Sequence, residues 1–219
     1  MPGKFLRYLL GALIVGALGL LAYQQLHASQ RARTALAAIT PGPVDIGFAQ
    51  AMSLHHQQAI AMSQLLQDGR PTRLLVLARS IAGMQQLELG EMRGWLRLWQ
   101  QPLLQLTPGM GWMLLGDEPP AADLRQYLLD CSRAPGGMVG LASMAELEQL
   151  RQSQDSVRDR QFLRLMLAHH EGAIPMARFA ATQAHLPAVQ ELAQRIVLEQ
   201  SEEIVRIRMM QQALDAMDH

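Results

Sequence analysis

Two adjacent histidines, His55 and His56, lie between methionines in the string MSLHHQQAIAMS, and a second pair, His169 and His170, lies in MLAHHEGAIPMA. Imidazole nitrogen and thioether sulfur together suit copper, above all Cu(I), where magnesium or calcium would demand oxygen. On a helix residues advance by about 100° each, so Met52, His55, His56, Ala59 and Met62 share one arc of roughly 120°. Small Ala59 leaves room on that face for an ion or an opposing side chain. Neighbouring histidines diverge by about 100°, so one can ligate while the other serves a second ion or a hydrogen bond. The plainer alternative is a polar boundary pair beside methionines that pack the core. A single copy would favour that alternative; recurrence favours ligands.

The recurrence is extensive. Asp45, Phe48, Met52, His55, His56, Ala59, Ile60 and Met62 return as Asp159, Phe162, Met166, His169, His170, Ala173, Ile174 and Met176, all displaced by 114 positions. A following stretch repeats at a displacement of 115, where Ile81, Gln85, Glu88 and Leu89 answer to Ile196, Gln200, Glu203 and Ile204. Apolar residues at helical spacing make each copy a helix, and the Asp68-Gly69-Arg70-Pro71 break makes the first copy a hairpin. The expected architecture is therefore all-α. Two duplicated helical hairpins bury their apolar stripes against each other as a four-helix bundle. Gln85 with Glu88, and Gln200 with Glu203, are spaced to share a face. They either look onto the histidines, where a carboxylate would fix an imidazole tautomer, or form a solvated polar stripe.

The flanking and bulk features place these hairpins. Lys4 and Arg7 precede the uncharged run Tyr8 to Tyr23, the layout of an export signal. No convincing small-x-small cleavage site follows, the best ending at Ala28, which favours an uncleaved anchor over a cleaved signal. The positive-inside rule then puts everything after Gln24 on the outer face, the periplasm in a bacterium. The expected divisions are an anchor at 1–26, a tether at 27–44, the first hairpin at 45–100, a crossover at 101–155 and the second hairpin at 156–217. The first hairpin's helices are expected to start at Asp45, as N-cap, and near Thr72. In the crossover a short helix is expected near Ala121 to Asp130, and Ser143 with Glu146 forms a capping box for another. Nineteen basic and nineteen acidic residues cancel, so no field attracts nucleic acid. The single cysteine, Cys131, has no partner for an internal disulfide and reads as structural.

The string DxxFxxxMxxHHxxAIxM, followed by a QxxE pattern, resembles the family known as domain of unknown function 305, from Asp45 to Trp99 and again from Asp159 to Leu214. GMVGLASMAELEQL, Gly137 to Leu150, is similar to the segment before that family's second histidine string. The resemblance implies a ferritin-like helical bundle in exported or membrane-anchored bacterial proteins, some of them associated with copper handling. Carried across by position, the implied ligands are Met52, His55, His56 and Met62 with Met166, His169, His170 and Met176. Two features depart from the pattern. Pro175 stands inside the second histidine helix, where it removes the bond to the Glu171 carbonyl and is expected to kink the chain. The stretch from Leu103 to Pro135 matches nothing in the family, although Met110 and Met113 within it, with Met138 beyond, could add thioether donors.

The expected function is a membrane-anchored, outward-facing copper protein that buffers, delivers or confers resistance without catalysing a reaction. A second possibility is a structural or sensory bundle that docks a protein partner through the apolar loop near Trp112; a homo-oligomer is also compatible with the sequence. A di-metal oxidase of the ferritin-like kind would need ExxH motifs, and the chain contains none.

Overall fold

The computed structural model describes residues 2–37, 39–105 and 109–217, with the side chains of residues 2–10, 12, 14, 15 and 37 outside that set. Among the described residues the secondary structure is entirely helical. The chain divides into two compact units, residues 1–40 and 41–219.

The first unit is one helix, α1 (Pro2–Ala37). It continues well past the expected end of the anchor, because the Gln, Arg and Ala-rich stretch taken for a tether consists of strong helix formers. Among the described residues no helix is long and apolar enough to cross a membrane. The side chains of Lys4 and Arg7, and part of the Tyr8 to Tyr23 run, lie outside the described set.

The second unit contains α2 (Pro43–Leu65), α3 (Leu75–Leu98), α4 (Ala122–Arg133), α5 (Met144–Gln152), α6 (Asp155–Gln183) and α7 (Pro187–Ala216). Helix α2 packs along α3, α6 along α7, and α2 also lies against α6. The order of buried residues fixes the last contact as antiparallel. Met52 belongs with Ala173 and Met176 to one apolar cluster, while Ala59 and Met62 belong with Phe162 and Met166 to the other. The histidine pairs fall between these two clusters on both helices.

The repeated aspartates tie the hairpins together. Asp45 is not the N-cap of α2 but its third residue, Pro43 having taken the first position, where a missing N–H costs nothing. Its buried carboxylate accepts from the Gly42 N–H at 2.7 Å and from the Leu186 N–H, just before α7, at 3.0 Å. Asp159 in α6 accepts from the Thr72 hydroxyl at 2.6 Å and the Arg73 N–H at 3.2 Å, just before α3. Each copy thus anchors the turn of the other.

The crossover is folded rather than a plain connection. Ser143 and Glu146 close the expected capping box at the start of α5. The irregular segment Val139–Ala142 then runs directly over α6. A Cβ on Gly172 would lie 2.2 Å from the Val139 carbonyl oxygen, and one on Gly140, which has φ +89°, 2.5 Å from that of Ala168. Glycine is required at both places. Helix α6 continues through Pro175. The Tyr127 hydroxyl of α4 donates to the Gly172 carbonyl at 2.8 Å, giving a carbonyl beside the freed Glu171 oxygen an extra donor.

Candidate metal centre

All eight residues implied as ligands are fully buried: Met52, His55, His56, Met62, Met166, His169, His170 and Met176 each have 0% exposure. Four imidazoles in an apolar interior are unusual, since buried polar groups normally find partners. Here three of the four do so, and on one side only. The His56 Nε2 meets the Glu88 carboxylate at 2.7 Å, and the His170 Nε2 meets that of Glu203 at 2.6 Å. The His169 Nε2 lies 2.8 Å from the backbone oxygen of His55. A carboxylate or carbonyl oxygen only accepts, so these three rings donate from Nε2 and, when neutral, carry a lone pair on Nδ1. The Nδ1 atoms of His56, His169 and His170 have no hydrogen-bond partner, and neither ring nitrogen of His55 has one within bonding geometry, although the Val139 backbone lies close enough to act on that ring.

The two histidines of each pair therefore do different things, as their angular divergence on a helix requires. His56 and His170 turn to the carboxylates of α3 and α7. His55 and His169 turn to each other, with ring centroids 3.7 Å apart and planes at 37°. Burial holds the His55 imidazole neutral, with its pKa lowered to about 3, and the neighbouring His56 and His170 push the same way. His169 is held well below its ordinary value by burial and by His55 and His170. Two neutral rings in contact are what a transition metal needs for ligation, because a protonated imidazole cannot bind it.

The QxxE pairs split likewise. Glu88 and Glu203 reach the histidines, whereas Gln85 and Gln200 are buried alongside with both amide atoms unpartnered. Grouping the methionines by repeat copy does not match their packing. Met52 and Met176 share one side of the histidine layer and Met62 and Met166 the other, because antiparallel helices bring the start of one copy's face against the end of the other's. Among the described residues no three His, Cys, Asp or Glu side chains gather around one point. The arrangement accordingly offers no cage for a hard, oxygen-seeking cation. It does suit a soft ion that combines one or two imidazoles with thioether sulfur.

The periodicity did not single out Gln58. This residue ties down the crossover segment that lies beside His55 and His169, donating to the Ala142 carbonyl at 2.8 Å and accepting from the Ala142 N–H at 2.7 Å. Its position one turn beyond His55 was the available signal. The repeat obscured it, because the corresponding position in the second copy is Gly172.

A family model described as "Domain of unknown function (DUF305)" matches residues 45–213. Among solved structures, a DUF305 protein from Streptomyces coelicolor is similar with a TM-score of 0.67 and 30% identity, over 81% of this chain and 96% of that one. A DUF305 fragment from Deinococcus radiodurans gives 0.59 and 27%, over 80% and 99%. CopM in its Cu(I)-bound form gives 0.54 and 29%, over 77% and 96%. CopM has also been solved in Cu(II)-bound and silver-bound forms. No match was found among curated proteins. With its family match running from the first repeated aspartate to the end of the second hairpin, the chain belongs to the DUF305 family.

Proposed function

We propose that this protein is a copper-binding protein, anchored through its N-terminal helix to the inner membrane, with a ferritin-like four-helix bundle of two duplicated hairpins facing the periplasm. It holds copper as Cu(I) for buffering, delivery or resistance. The observation that carries this reading is the layer of four buried histidines whose Nδ1 atoms have no partner, flanked on both sides by buried thioethers. Leaving such groups buried and unpaired costs about 1–3 kcal/mol each, a cost that ligation would offset. His55 and His169 are the primary ligands, with Met52, Met62, Met166 and Met176 as sulfur donors. His56 and His170 can add Nδ1 from rings that Glu88 and Glu203 orient. The copper- and silver-bound forms of CopM support the choice of metal.

The test is anaerobic Cu(I) loading of the full chain, followed by chelator competition and X-ray absorption. A nitrogen and sulfur shell is expected around the copper, and replacing His55, His56, His169 and His170 together by alanine should remove the nitrogen component and lower the stoichiometry. Unchanged uptake with an unchanged shell would overturn the proposal. Retention of the full chain in carbonate-washed membranes, with the bundle open to protease only after the outer membrane is breached, tests its location.

A further inference from the structure

Helix α3 carries three glycines on its outer side, Gly83, Gly90 and Gly94, and the fold itself makes no use of them. A Cβ added at any of the three would meet nothing within 4 Å, so no neighbouring element needs the space. None has a positive φ. All lie inside the helix, where glycine destabilises relative to alanine because its backbone has more freedom to lose.

The glycines share their face with bulky apolar residues. At about 100° per residue, Val76, Ser80, Gly83, Leu87, Gly90 and Gly94 fall within an arc of roughly 80°, and Leu98 continues it. Val76, Leu87 and Leu98 are 82%, 67% and 78% exposed. From Val76 to Gly94 the spacing alternates between four and three, the repeat that keeps a seam of one helix against another. The seam carries no charge, and Leu87 stands on it as a knob between two hollows. A single exposed leucine needs no explanation, whereas an uncharged seam along most of a long helix marks a contact surface. Helix α7 also exposes Leu198, Val205 and Met209 but contains no glycine, so it offers no comparable seat.

The two edges of the seam differ in charge, and this identifies the occupant. Arg79, Arg93 and Arg97 line one edge within an arc of roughly 40°. Among the described residues none of the three takes part in an ion pair. Met84, Trp95 and Glu91, the last held by Arg195 at 2.8 Å, line the other edge. In a parallel pair of α3 helices the basic edge of each copy faces the other's edge, where a carboxylate and an indole face both attract a guanidinium. An antiparallel pair would set Arg79 beside Arg93 of the other copy. We infer that the outer face of α3 is the contact between two copies of this chain, packed as a parallel pair about a two-fold axis, with Leu87 of each seated between Gly83 and Gly90 of the other.

The inference is independent of copper binding. Its test places Leu87→Cys, Val76→Cys or Leu98→Cys in the full chain and oxidises the producing cells briefly, leaving the buried Cys131 as it is. Each cysteine should form a disulfide with its own counterpart, identified by peptide mass, while Val205→Cys on the exposed face of α7 should not. Gly83→Gln with Gly90→Gln, added to Leu87→Cys, fills the hollows with polar helix formers. The crosslinked fraction should then fall by about tenfold or more, with far-ultraviolet circular dichroism showing the helices intact. If that variant does not fold, the pattern from the three single cysteines decides by itself. Crosslinking of Leu87→Cys no stronger than that of Val205→Cys would overturn the inference, even if the seam proved shielded from a maleimide by some other partner. Crosslinking of Leu87→Cys to itself but of Val76→Cys only to co-produced Leu98→Cys would overturn the parallel arrangement.

Discussion

His169 packs against His55 across the α2–α6 contact, ring on ring at 3.7 Å, and donates its Nε2–H to the His55 carbonyl. The contact demands that both rings be neutral, since two imidazolium ions in a dry interior would repel and lack hydration. In the unfolded chain each histidine titrates near 6.5, whereas His55 in the fold does so near 3 and His169 well below its ordinary value. Between these limits the unfolded state binds more protons, so protonation favours unfolding. Stability is complete above pH 6.5 and falls as the pH drops towards 3. Within that window His55 removes roughly 1 kcal/mol per pH unit, and His169 acts in the same direction. Urea midpoints of the metal-free protein should decline steadily from pH 7 to pH 4. His55→Gln with His169→Gln should flatten the decline, and a slope unaltered by that pair would assign the acid sensitivity elsewhere.

Glu88 and Glu203 act on copper through the histidines they hold. Each carboxylate fixes an imidazole with Nε2–H towards it and raises the basicity of the opposite nitrogen. Glutamine is close in shape but uncharged, and it orients the ring less strongly. Glu88→Gln and Glu203→Gln should each weaken Cu(I) binding by about 10- to 100-fold, the range usual for groups that support a ligand histidine. Chelator competition measures this. Affinity unchanged in both variants would mean that His56 and His170 are not ligands and that only His55 and His169 are.

Much of this architecture was legible in residue spacing, and its gaps have physical causes. The displacement of 114 identified both histidine helices because helical periodicity and side-chain identity are local properties. The same periodicity put Glu88 with Gln85, and Glu203 with Gln200, on one face but left open whether that face met the histidines or solvent. The pairing of Met52 with Met176, rather than with Met62, depends on helix direction, a tertiary property that no single-helix arc reports. The roles of Asp45 and Asp159 escaped for a related reason. A helix-starting aspartate suggests a local cap, whereas these reach across to backbone groups 141 and 86 residues away. Position by position the repeat even misled. Gln58 grips Ala142 where its counterpart Gly172 only makes room for Val139, so equivalent sites serve one segment by opposite means.

Histidines with no exposed surface admit an ion only when something moves, and the Val139–Ala142 segment is the first place to test. Val139–Ala142 crosses α6 at Ala168–Gly172, and glycines at positive φ precede it, Gly136 and Gly137, and lie within it, Gly140. Its attachment to α2 is the pair of hydrogen bonds between Gln58 and Ala142, each contributing about 1 kcal/mol net. Gln58→Ala removes both while leaving every proposed ligand in place. If lifting this segment limits exchange, the barrier falls by up to that sum, and Cu(I) release to a chelator in stopped flow should quicken by up to about thirtyfold. Equilibrium affinity should fall far less than in the Glu88→Gln variant, because the coordinating groups are untouched. A release rate equal to that of wild type would move the gate to another part of the bundle, the Trp112 turn on α2 being the next segment to test.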